Sequence, residues 1–208
     1  MKPYKFKTIL NKGRFKSYFY SLTKEEQKNI EKKVNEYAIK YVKYSDHKNL
    51  EFLVNLLFVL GAFDALKNKR DNEKVLIDEL SNAMYAFLNR KVETFNKAFK
   101  SDFVYRILKK AIAKKMLGFN GHGWEIAVPK SNDNNIYIEV KRCLVHEILK
   151  EENKIELGKM FCNADLILYM HLGKTEFKWT KTLIKGGSMC DMHFIRHEEN
   201  DFERYESV

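Results

Sequence analysis

Trp124-Glu-Ile-Ala-Val128 and Ile136-Tyr-Ile-Glu-Val140 each put large apolar side chains at every second position, the period of two that marks a half-buried strand. Pro129-Lys-Ser-Asn-Asp-Asn-Asn135 lies between them as a polar turn, so the two runs predict a hairpin. The chain before Gly121 follows the other period. Thr23-Lys-Glu-Glu26 is a capping box, in which the threonine hydroxyl and the third-position glutamate satisfy each other's orphan backbone donors. Behind it Ile30, Val34, Tyr37, Ala38, Tyr41 and Val42 share one helical face.

A second helix, 49–67, is apolar nearly all round and is expected to be central. A third over 73–98 spaces Val75, Leu76, Leu80, Ala83, Met84, Phe87 and Leu88 helically, and a fourth over 102–117 does so with Val104, Ile107, Leu108, Ala111 and Ile112 until Gly118 stops it. The first twenty residues mix aromatic and lysine side chains without a clean period and read as an arm packed back on the body.

Beyond the hairpin, Leu144–Glu151 and Glu156–Leu172 read as helices, the second ended by Gly173. Thr175–Thr182 and Met189–Ile195 read as two strands around the Gly186-Gly187 turn, and the acidic tail from Glu198 reads as disordered at its end. The order is four helices, two strands, two helices, two strands, without repeat or linker. It predicts an α+β fold, an N-terminal helical layer packed on a small antiparallel sheet with two further helices. One domain is expected, with a helical half over 1–118 and an α/β half over 119–197.

The 208 residues are 45% hydrophobic and 13% aromatic with only two prolines, enough apolar surface for a globular core. Leu50–Leu66 is the longest apolar run, but Glu51, Asn55 and Asp64 interrupt it, so a buried helix is expected and no membrane span. Three cysteines, at 143, 162 and 190, make a poor disulfide framework, and the N-terminus lacks the apolar region of a signal peptide. Both features point to the cytoplasm. A net charge of +10 permits a polyanionic partner, yet the lysines are interleaved with glutamates and no nucleic-acid motif or basic stripe accompanies them. A small-molecule partner is expected instead, and nothing in the pattern prescribes an oligomeric state.

Reactive groups concentrate near the end of the chain. Cys143 and His146 are three apart at the start of one helix, and Cys162 and Asp165 are three apart on another, so each pair projects from one face. Cys190 and Asp191 are adjacent in a strand and point to opposite faces. One reading is a thiolate nucleophile assisted by an imidazole base and an orienting carboxylate. Another is a metal-activated water, since Cys143, His146, Cys162 and Asp165 are ligand types that zinc accepts. A third is purely structural, cysteine being among the most buried residue types. Asp165 interrupts an apolar helical face, where a carboxylate is costly unless paired or used.

Val140-Lys-Arg-Cys143, Glu156-Leu-Gly, Phe161-Cys-Asn-Ala-Asp165 and Thr182-Leu-Ile-Lys-Gly186-Gly-Ser-Met-Cys190-Asp-Met-His-Phe194 together resemble the L-2-amino-thiazoline-4-carboxylic acid hydrolases over about residues 120–195. Where that pattern tends to have arginine before the first threonine this chain has Trp179, and where Cys-Asp-Phe-Arg-Phe is usual it has Cys-Asp-Met-His-Phe. The resemblance implies hydrolytic opening of a cyclic amidine, and the residue chemistry expects no cofactor, with zinc or another divalent metal as the alternative. Taken with the residue chemistry, the expected catalytic groups are Cys190, Cys162, Asp165, His146 and Cys143, with Asp191, His193, Thr182, Gly186 and Trp179 binding substrate. If the missing arginines hold a substrate carboxylate as bidentate donors, this chain takes a different ligand. A binding module that keeps the pocket and has lost the chemistry is the second reading.

Overall fold

Seventeen residues with scarcely a charge make α4 (Leu50–Leu66), and twelve of them are buried, so beyond its first turn this helix shows no solvent-exposed stripe. The computed structural model describes residues 1–129, 132, 134–170 and 172–198, with backbone alone at 91, 95, 98, 99 and 108. The acidic tail after Glu198 and three residues of the 129–135 turn (Lys130, Ser131 and Asp133) lie outside the described residues.

The chain folds as two compact units, Met1–Phe87 and Leu88–Val208. In the first, α1 (Phe6–Lys12), α2 (Lys16–Ser21) and α3 (Lys24–Lys40) gather about α4. The Thr23–Glu26 capping box opens α3 as expected. α3 approaches α4 through Gly61, where a β-carbon would lie 2.4 Å from Val34 Cγ2. The N-terminal arm packs on the body as expected, and does so as two short helices. Their order comes from packing, with Phe15 stacked on Phe58 at 4.8 Å and Phe6 against Phe19 at 5.2 Å. Asn55, buried within α4, accepts from the Arg14 amide at 2.8 Å and donates to the Glu51 carbonyl at 2.7 Å, so its polar burial is compensated.

α5 (Glu73–Phe99) begins in the first unit and ends in the second. The second unit continues with α6 (Asp102–Leu117), β1 (Glu125–Ala127), β2 (Asn135–Arg142), α7 (Leu144–Glu151), α8 (Gly158–Tyr169), β3 (Thr175–Trp179) and β4 (Cys190–Arg196). The chain is thus α+β. The sheet is antiparallel throughout in the order β1-β2-β4-β3, so the last strand slips between β2 and β3.

Register sorts the side chains. Val140 pairs with Cys190, Ile138 with Met192 and Ile136 with Phe194, while Trp179 and Phe177 pair with Met192 and Phe194 from the other side. All eight are buried and share one face. Tyr137, Glu139, Lys178, Asp191 and His193 occupy the other. Tyr169 of α8 covers the apolar face, its ring 5.2 Å from both Phe177 and Phe194. Arg196 ties α6 to β4, donating to the Lys100 carbonyl at 3.0 Å and to Asp102 while lying over the Tyr105 ring. Among the described residues no helix is long and apolar enough to cross a membrane.

Candidate active site

β2 ends at Arg142 and Cys143 takes the N-cap position of α7, so the thiol sits where backbone N–H groups lack helical partners. Burial pushes this thiol up to about 12. The amides of His146 and Val145 favour the thiolate and do not outweigh burial, and the negative charge of Cys190 and Asp165 adds to the upward shift. Cys162 on α8 is pushed up still further, first by burial, then by Asp165, Cys190 and Cys143, with Lys185 opposing. Cys190, which opens β4, is raised by burial, relieved by an N–H from Leu183, and raised again by Asp165 and Asp191.

Asp165 therefore acts on all three thiols, and Cys190 acts on both of the others. α7, α8 and β4 bring Cys143, Cys162, Asp165 and Cys190 into one neighbourhood. All three cysteines are free. With their pKa values raised they are neutral at physiological pH and poor as resting nucleophiles.

Leu183 N–H donates to Cys190 Sγ over 3.3 Å, and the turn that carries it is built for the purpose. Thr182 Oγ1 accepts from the Lys185 amide at 3.3 Å, and its carbonyl accepts from Gly187 at 2.9 Å. Gly186 adopts φ +81°, the left-handed conformation that favours glycine. Asp191 anchors the same turn from the opposite face of the sheet. It accepts from the amides of Thr180 and Lys181 at 2.9 Å each and from the Thr180 hydroxyl. Burial alone would raise the Asp191 carboxyl, but these donors hold it below the ordinary aspartate range. Gly158, the first residue of α8, lies against Ile184, where a β-carbon would come within 2.2 Å of Cδ1. That contact sets the helix bearing Cys162 and Asp165 against the turn that touches Cys190.

His146, His193, Trp179, Thr182 and Gly186 are spread over α7, the two sheet faces and the turn before β4. The His146 imidazole meets Glu147 at 3.2 Å, and the backbone amide of His146 lowers the Cys143 pKa although Cys143 makes no side-chain cap hydrogen bond. His193 is on the other sheet face, 4.9 Å from the Tyr137 ring, and burial followed by Lys178 lowers its pKa. Trp179 is on the Cys190 face, 8% exposed and packed on Phe177 at 5.3 Å, and its Nε1 has no hydrogen-bond partner among the described residues. An unmade bond of that kind costs about 1–3 kcal/mol. Thr182 and Gly186 shape the turn before β4. Cys143, Cys162 and Asp165 are neighbours, yet among the described residues no group of three or more His, Cys, Asp or Glu is placed to hold a metal ion. Sequence reasoning passed over Leu183, Ile184 and Gly158 as functional, although each stands inside one of the motifs that carry the resemblance.

The family model for L-2-amino-thiazoline-4-carboxylic acid hydrolase matches residues 51–194. The chain belongs to this family. The match to the thiazoline-carboxylate hydrolases begins at Glu51, well before the motif-bearing strands, and so includes nearly all of α4 and all of α5 as well as every thiol and Asp165. No curated protein and no solved structure matches the chain.

Proposed function

We propose that the protein opens a cyclic amidine of the 2-amino-thiazoline type by adding water to the carbon between sulfur and nitrogen. The observation that carries this reading is the reach of Asp165 to all three thiols, inside the span matched by a family named for such a hydrolase. Asp165 takes a proton from the attacking water as the C–O bond forms. Asp165, now protonated, passes that proton to the sulfur or nitrogen that leaves as the ring bond breaks, so one carboxylate serves as base and then as acid. Cysteines kept protonated by burial are too weakly acidic to protonate a leaving thiolate and too little ionised to attack, so they serve as neutral walls of the site. Three neighbouring free thiols also favour a reducing, cytoplasmic setting.

The test is incubation with L-2-amino-thiazoline-4-carboxylate, following both thiol and ammonia. New thiol marks C–S cleavage and ammonia marks C–N cleavage. Neither product, with no protection of the protein thiols from alkylation, removes the proposal.

The raised thiol pKa values also favour a second reading, a small-molecule-binding module of the same fold. Saturable protection of the thiols without turnover is its signature.

A further inference from the structure

Trp179 closes β3, and the order of contacts along α8 fixes what lies over it. Tyr169, the last residue of α8, rests on Phe177 and Phe194, while Cys162, two turns earlier, belongs with Cys190. On the sheet, Phe177, Trp179 and Cys190 follow one another along the same face, because Trp179 pairs with Met192 and Cys190 stands two residues before it. Asp165 lies between Tyr169 and Cys162 on the helix, as Trp179 and Met192 lie between Phe177 and Cys190 on the sheet, and we take the two to be at one level. Its neighbours Phe177 and Met192 offer no strong acceptor. The indole N–H is buried and unpartnered among the described residues, on the sheet face that carries Cys190.

Resting on the hydrolase reading, we infer that Trp179 Nε1–H is the specificity-determining donor of this site and takes an uncharged acceptor atom of the substrate's ring. A carboxylate brought to the same place would meet Asp165 with one neutral donor for compensation. The cation whose charge reaches Cys162 is Lys185, which is exposed, so an anionic substituent belongs at the mouth. The class of substrate is a heterocycle bound by its neutral ring, with or without a carboxylate.

The chain has two tryptophans, so 15N-labelled protein gives two indole N–H signals, and Trp179→Phe identifies the one at issue. Two probes are titrated, 2-amino-thiazoline and L-2-amino-thiazoline-4-carboxylate, with thiol alkylation read in parallel. The Trp179 signal starts upfield, as an unbonded N–H does, and both probes move it downfield by similar amounts. Trp179→Phe, which keeps an aromatic ring and loses the donor, weakens both probes roughly five- to tenfold, the worth of one neutral hydrogen bond. A signal that moves with the carboxylate alone, or stays still while the probes protect the thiols, overturns the inference and leaves the hydrolase pocket standing. Probes that neither move the signal nor protect the thiols overturn both.

Discussion

A β-carbon on Gly158 would lie 2.2 Å from Ile184 Cδ1, so the start of α8 and the turn before β4 are fitted to each other with no spare volume. Ile184 follows Leu183, whose amide donates to Cys190. Gly158→Ala must therefore displace the turn or the helix. It is expected to cost about 1–3 kcal/mol, as overpacking does, and to lower hydrolysis at least tenfold by spoiling the Leu183–Cys190 geometry. Melting and turnover measurements check it, and adding Ile184→Ala should recover part of both. A double variant no better than the single one sinks the packing account.

Asp191 is a stability residue with a defined pH signature. Its folded pKa lies below the ordinary unfolded value of about 3.9, so its contribution is complete above that value and is lost as pH falls through the lower folded pKa. Asp191→Asn gives up charge-assisted bonds to Thr180 and Lys181 and should lower the melting temperature at pH 7, with a loss of about 1.5–3 kcal/mol. The gap between variant and wild type should close as pH falls below about 4. A gap that is constant from pH 7 to pH 3 contradicts the assignment.

Much of this was legible in the sequence, and what was not has identifiable causes. The alternation at Trp124–Val128 and Ile136–Val140 declared strands because Ile136, Ile138 and Val140 are buried while Tyr137 and Glu139 between them are only half-buried. α4 declared itself central because no polar stripe breaks it. α1 and α2 stayed hidden because Phe6, Phe15 and Phe19 are ordered by tertiary contact, which leaves no period over seven and six residues. The adjacency of Cys190 and Asp191 foretold opposite faces, but only the register with β2 and β3 says which face holds the thiols. The ring of His146 is what a sequence displays; that its backbone amide also bears on the Cys143 pKa needs the helix start in place.

The thiols should be slow. With Cys143 pushed up to about 12, roughly one molecule in ten thousand carries its thiolate at pH 8, against about a quarter for a free cysteine of pKa near 8.5. Alkylation at pH 7 to 8, read at each cysteine by mass spectrometry, should run at least a hundredfold below free cysteine at Cys143 and Cys162 and be slowed at Cys190. One cysteine reacting at the free rate or faster would restore the thiolate mechanism and name its nucleophile.

Asp165→Asn separates the electrostatic role of Asp165 from its catalytic one. Its negative charge raises all three thiols, and removing it lowers their pKa values, so each should alkylate faster in the variant at fixed pH above 7. Burial, the larger cause, persists, so the rates remain below that of free cysteine. Over the same interval hydrolysis of a 2-amino-thiazoline should fall by about 10²–10⁴, the usual worth of a general base. Asparagine keeps the shape of aspartate, and a melting curve of the variant shows whether the fold is intact before the rates are compared. Faster alkylation with undiminished turnover leaves Asp165 in the pocket and removes it as the base. Unchanged alkylation at all three cysteines means that the carboxylate does not face the thiols, and the site itself is then wrong.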